Sequence, residues 1–398
     1  MQNWRRRSLL LFVVGLCGAV GQAADDEQVA AGKQLFLREW KANDPLSPNG
    51  DGLGPMHNDT SCVACHKMGG IGGAGPIDKN VDVLALKPPE TSSEAAQLNR
   101  NVASLHAGFF GPSGLQSNII LHRLSTEPRY SALRSIFLGE DIVSLWDDPR
   151  KYLVAMRDSP VNEHLVNGVR FQHVQRNSSA MFGNGLLDRV KAATMRGIAK
   201  EQQRVGRVSG RPAPLGQRLD RVGRFGWRGQ TKSLRDFVTG ACAAELGLHS
   251  RADSQLTDPF DPAPRSDRFH DLDEAQVQAL VAFCASLPAP IQVIPADPVE
   301  AAEVKRGEQL FSQVMCGECH RRNIGPAKNA YTDLLLHDMG QQMSDPVGPE
   351  LPASFYQSIP AEILTKRPSR VSYYGRSITF RTTVIDNAKA RARIQRAT

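Results

Sequence analysis

Beyond its first two dozen residues, the chain lacks any uninterrupted apolar run near the roughly 18 residues of a spanning helix, so no stable membrane span is expected there. It also lacks a second Cys pair roughly 15 to 20 residues from the first, which excludes a zinc ribbon. Neither Cys pair follows an apolar, strand-like run, so a thioredoxin-like βαβ redox motif is excluded as well. No Ser/His/Asp grouping can be identified. Asn49-Gly-Asp51-Gly has the oxygen donors and glycines of a Ca²⁺ loop, but not the full ligand spacing of an EF-hand; a simple turn is the other reading.

The seven cysteines and ten histidines are used in an uncommon way. Two pentapeptides, Cys62-Val-Ala-Cys65-His66 and Cys316-Gly-Glu-Cys319-His320, have the C-x-x-C-H spacing that attaches haem c. Chance would produce one such pentapeptide in roughly one chain in a few hundred. The two thiols add across the porphyrin vinyl groups, and the adjacent histidine becomes the proximal iron ligand. The expected cofactors are two covalently bound haem c groups, with His66 and His320 as proximal ligands. Met339 and His337, in Leu334-Leu-Leu-His-Asp-Met-Gly340, are candidate distal ligands of the second haem. For the first haem, Met56, His57, Met68 and His106 are all open. Glycines 69 to 75 read as backbone passing close to a porphyrin. Trp40, Trp146 and Trp227 are either core residues or groups between the haems.

Haem c attachment requires export, and the N-terminus has the features of an export signal. Arg5 to Arg7 precede an apolar stretch, Ser8 to Gly21, and Gly21-Gln-Ala23 fits a small-x-small cleavage site. Residues 1–23 are therefore read as a signal peptide and the location as periplasmic. The remaining cysteines, Cys242 and Cys284, either pair in an oxidising compartment or are small buried apolar residues.

The net charge of +7 is local. Residues 200–232 carry nine basic and two acidic residues, and residues 361–398 carry the same numbers. With the three N-terminal arginines also removed, the remainder is about −10. Basic loops beside an acidic body are either plain solvated loops or a docking face for a small redox protein or other electron donor, and an exported dihaem protein is expected to meet no nucleic acid.

An internal repeat organises the chain. Ala31-Gly-Lys-Gln-Leu-Phe36 precedes the first haem motif and Arg306-Gly-Glu-Gln-Leu-Phe311 the second, with Leu35/Phe36 and Leu310/Phe311 expected to face inward. The first unit holds a Gly/Pro/Asn/Asp-rich loop, 43–59. A helix is expected over 233–248. Another runs from a capping box at Asp271 and Glu274 through Val277, Leu280, Val281, Cys284 and Leu287 to Pro288. The stretch 203–230 reads as loop or short strands. The spacing predicts a mainly α fold of two cytochrome c-like domains: 24–290, enlarged by long loops and insertions, and 301–398, possibly incomplete, joined by a Pro-rich linker at 291–300.

Asp51-Gly-Leu-Gly-Pro55, Ser61 to His66, Met181-Phe-Gly-Asn-Gly-Leu-Leu-Asp188, Gly223-Arg-Phe-Gly-Trp227 and Tyr331 to Gly340 together resemble the bacterial di-haem oxidoreductase family, described as peroxidases or thiol oxidoreductases. The resemblance runs from about residue 31 to 343. It implies a peroxidase-like oxidoreductase in which one haem relays electrons to another that reacts with peroxide, aided by a distal acid/base. The alternative is a non-catalytic electron-transfer cytochrome. Members of that family continue with Trp-Arg-Thr-Pro-Pro-like and His-Asp-Gly-like segments, and neither occurs between Gln342 and Thr398. Residues from about 344 are therefore expected to be loosely ordered, leaving the second haem exposed.

Overall fold

The computed structural model describes residues 26–86, 101–102, 105–111, 114–115, 118–138, 162–215, 218–256, 258–261 and 270–338. The expected signal peptide, Trp146, Met339 and the stretch from 344 onward lie outside the described residues.

In chain order, the helices are α1 (Asp26–Leu37), α2 (Cys62–Cys65), α3 (Tyr130–Leu138), α4 (Asn184–Asp188), α5 (Ala192–Val205), α6 (Leu234–Glu245), α7 (Glu274–Ser286) and α8 (Pro298–Gln313). The strands are β1 (Met56–His57), β2 (Val81–Leu86), β3 (Phe110–Gly111), β4 (Gly114–Leu115), β5 (Asn118–Leu121), β6 (Leu124–Ser125), β7 (Asn162–Val166), β8 (Val169–Arg176), β9 (Ala213–Leu215) and β10 (Arg218–Gly223). They form one four-stranded antiparallel sheet, ordered β5-β2-β8-β7, and three two-stranded ribbons among the described residues.

A mainly α fold is thus the wrong description. Among the described residues between the first C-x-x-C-H motif and α5, strands outnumber helices. Val81-Asp-Val-Leu-Ala-Leu86 is buried almost throughout, because Leu84 and Leu86 enter one core while Val83 and Ala85 enter another on the opposite face. A strand covered on both faces shows no polar alternation. β9 and β10 are the short strands expected within 203–230.

The helices follow local rules closely. Ser233 caps α6 by accepting from the Asp236 amide. The capping box of α7 is Asp273 with Gln276, two residues beyond the expected pair. Asp271 is used elsewhere: its carboxylate accepts from the amides of Gly52 and His249 at 2.6 and 2.7 Å. Asp297 caps α8, accepting from Val299 and Glu300, with Pro298 opening the first turn.

The main core gathers α1, α6 and α7 and also takes in Ile324, Ala327, Leu334 and Leu335 from beyond the second haem motif. A second core lies between the sheet and α3. At the repeat, α1 and α8 differ. Leu35 is 7% exposed and Leu310 47%. α1 crosses α7 so closely that a Cβ on Gly32 would lie 1.8 Å from the Ala279 carbonyl oxygen, whereas nothing lies within 4 Å of a Cβ on Gly307. Gly32→Ala is therefore expected to force the two helices apart and cost about 1–3 kcal/mol. Gly307→Ala is expected to gain about 0.5–1 kcal/mol of helix propensity. Urea midpoints of the two variants check both signs.

Candidate functional site

Each C-x-x-C-H motif forms a single helical turn, α2 in the first unit and a 3₁₀ turn, Cys316–Glu318, in the second. The His66 amide donates to the Cys62 carbonyl at 3.0 Å, and the His320 amide to the Cys316 carbonyl at 2.8 Å. With i, i+3 and i+4 spacing around such a turn, the two cysteines and the histidine of each motif share one side of it.

The imidazoles are held alike. His66 Nδ1 lies 3.2 Å from the Gly73 carbonyl, and His320 Nδ1 lies 3.3 Å from the Tyr331 carbonyl. A carbonyl only accepts, so each ring turns an Nδ1–H toward main-chain oxygen, the orientation expected of a proximal ligand. The same residue of each repeat packs on the ring: Phe36 lies 6.3 Å from His66 and Phe311 lies 6.2 Å from His320, centroid to centroid. Burial draws His66 below the usual histidine range, against the pull of the Gly73 carbonyl, and so favours the neutral ligand form.

Glycines 69–75 fold back on the first motif, with Met68 and Ala74 exchanging amide hydrogen bonds at 2.9 and 3.2 Å. A Cβ on Gly73 would fall 2.0 Å from the Met68 carbonyl. The absence of side chains there lets the loop double back and place its carbonyl on His66.

All four motif cysteines are free thiols. Burial, with Cys65 next in weight, pushes Cys62 up to about 12; burial, Asp59 and Glu245 push Cys65 up to about 12. Such thiols are poor redox nucleophiles, the opposite of a thioredoxin-type pair. Free thiols, an imidazole held by a main-chain carbonyl and a packed aromatic at each site fit covalent haem. Cys242 and Cys284 are also free, and both are buried in the main core.

The other candidates lie as follows. Met56 is buried in the second core, and His57 Nδ1 is 3.2 Å from the Gly54 carbonyl. Met68 is exposed, and His106 is buried among the aromatics of the second core. His337 has both ring nitrogens engaged: Nε2 with the Asp333 carboxylate at 2.8 Å and Nδ1 with Cys319 Sγ at 3.6 Å. Burial opposes its protonation, but Asp333 and Cys319 outweigh burial and hold His337 up at about 9. Gln202 also donates to Asp333, at 2.8 Å. Trp40 is buried in the main core, and Trp227 stacks under the Arg176 guanidinium at 5.0 Å.

The Asn49–Gly52 loop is tied down by Asp271, and the Asp44 carboxylate is taken by Arg38 and by the amides of Lys41 and Leu46. This donor set does not fit Ca²⁺. Among the described residues, no group of three His, Cys, Asp or Glu is placed to hold a metal ion, and no helix is long and apolar enough to cross a membrane.

Two features escaped the sequence. Glu245, at the end of α6, accepts from the Asn58 amide at 2.6 Å, and burial raises it above the usual carboxylate range. Its charge is also felt at Cys65. A small cleft is lined mainly by apolar residues, among them Phe182, Leu186, Ala289, Pro290, Ala327 and Ala330. Comparison with protein-family models, curated proteins and solved structures yields no match.

Proposed function

We propose that the chain is an exported, periplasmic dihaem c-type cytochrome acting as a peroxidase-like oxidoreductase of the kind its motifs resemble. One observation supports the reading: two distant C-x-x-C-H turns each have an imidazole Nδ1 turned to a main-chain carbonyl and the phenylalanine of the same repeat on the ring. Cys62 and Cys65, and Cys316 and Cys319, would hold the porphyrins; His66 and His320 would be the proximal ligands. When bound, haem supplies one-electron transfer and, at an open coordination position, reaction with peroxide. Glu245 is the group best suited to hold and move a proton at the first site, since burial keeps its carboxyl protonated to higher pH. The electron donor is a small redox protein or an equivalent carrier, and no nucleic acid is involved.

Optical and electron paramagnetic resonance spectra of the mature protein test this. The expected result is one high-spin haem that changes on adding hydrogen peroxide. Two low-spin haems that stay so after partial reduction would make the protein an electron carrier instead.

A second reading rests on Cys319, His337 and Asp333, whose contacts of 3.6 and 2.8 Å form a thiol–imidazole–carboxylate relay. Haem attachment at Cys319 consumes that thiol. Alkylation of Cys319 in the mature protein would favour the relay, and its protection favours the haem.

A further inference from the structure

The end of α5 meets the second C-x-x-C-H turn directly. The Gln202 side chain donates to the Glu318 carbonyl at 2.9 Å, Arg207 pairs with the Glu318 carboxylate at 3.1 Å, and Arg321 pairs with Glu201 at 2.7 Å. Glu318 lies between Cys316 and Cys319, and Arg321 follows His320, so these contacts bracket the motif. Whatever binds the outer side of α5 is held beside the second site.

That side is strongly basic. Residues 189–211 carry seven basic residues and one acidic residue, Glu201, which Arg321 already pairs with and whose carboxylate also feels Arg204. Glu318 is likewise answered by Arg207. α5 packs inward through Met195, Ile198 and Gln202. At about 3.6 residues per turn, Ala193, Gly197, Lys200 and Arg204 fall on the opposite face, and all four are exposed. Lys200 has no ion-pair partner among the described residues. Gly197 costs a helix about 0.5–1 kcal/mol relative to alanine, and with nothing within 4 Å of a Cβ there, no packing among the described residues accounts for it. A smooth, basic helix face is thus left open to an incoming surface. At the first motif, by contrast, Lys79 is neutralised by Asp59 at 2.6 Å.

We propose that the outer face of α5 docks an acidic redox protein, which delivers electrons to the site of Cys316, Cys319 and His320. The inference rests on the dihaem reading above and adds to it the point of electron entry and the charge of the donor. The donor's reduced centre gives up one electron, the second site takes it, and no bond forms or breaks. Lys200, Arg204 and Arg207 steer a negatively charged partner, an effect that falls steeply with ionic strength. Val205, which closes α5, and Met315, which precedes Cys316, are 45% and 54% exposed and supply apolar contact within the basic surround.

The test uses one small mono-haem cytochrome c made acidic by succinylation of its lysines. Carbodiimide coupling of this probe to the mature protein, read by mass spectrometry, should join probe carboxylates to Lys200 in preference to Lys33 and Lys67 of the first unit, which are also exposed. In stopped flow at low ionic strength, reduction by the probe should slow about tenfold in Lys200→Glu/Arg204→Glu and less than about twofold in Lys33→Glu/Lys67→Glu, and the difference should shrink at high salt. Cross-links at Lys33 or Lys67 in place of Lys200, or equal rates in the two variants, would overturn the docking face while leaving the dihaem reading standing. A wild type without covalent haem would remove that reading, and the cross-links would still decide where the acidic protein docks. The coupling uses the unaltered chain, so a variant that fails to fold leaves the test intact.

Discussion

Replacing both Cys62 and Cys65 with alanine is expected to leave a protein that carries one covalent haem in place of two. The two motifs are separated by about 250 positions, and each forms its own hydrogen-bonded turn. Loss of both thiols at the first site removes both thioether bonds there and leaves Cys316 and Cys319 untouched. A pyridine haemochrome assay, normalised to protein, should fall to about half, and haem staining on a denaturing gel should persist at reduced intensity. The matching Cys316→Ala/Cys319→Ala variant should give the same half value, and the four-fold variant none. An unchanged haem count in either double variant, or a wild type with no haem, would sink the dihaem reading. Since Cys62 packs against the main core, a parallel thermal melt should separate lost haem from lost fold.

The largest effect on stability is expected at Asp82, far from either motif. Asp82 is 0% exposed, and its carboxylate receives Arg134 Nη2 at 2.5 Å, His173 Nε2 at 2.9 Å and Gln175 Nε2 at 2.8 Å. Asp82→Ala would strand three donors at the end of the sheet, one of them a partly buried guanidinium. Breaking a buried pair by removing one partner costs about 3–5 kcal/mol. Arg134 also holds the His122 carbonyl, so the damage should spread to the second core. Urea unfolding followed by circular dichroism checks the size. A loss below about 1 kcal/mol would mean that water already solvates the network.

The C-x-x-C-H motifs were legible because their chemistry lies within five consecutive residues. Helices α6 and α7 were legible because caps and apolar spacing act over a single turn. The sheet was not. β2 pairs with β5 and with β8, whose residues lie 33 to 95 positions away along the chain, and burial on both faces of β2 erases the alternation that marks a strand. The capping box of α7 was displaced by two residues for a related reason: Asp271 fits the local pattern as well as Asp273 does, but the Gly52 amide, 219 positions away, takes its carboxylate. The repeat predicted burial for both Leu35 and Leu310, yet burial also requires a partner helix, and α7 covers only α1. Glu245 shows no signal in one dimension, because it acquires its character from elements brought together by the fold.

The carbonyls that hold His66 and His320 belong to the main chain. Gly73 is seven residues beyond its histidine and Tyr331 eleven beyond its own, and the first anchor also needs a position with no side chain. Ring orientation is therefore encoded as a loop length. Deletion of one residue between Lys67 and Ala74 would swing the imidazole away from its carbonyl. Anyone transplanting these turns into another scaffold must preserve the count of residues together with the bare backbone at Gly73.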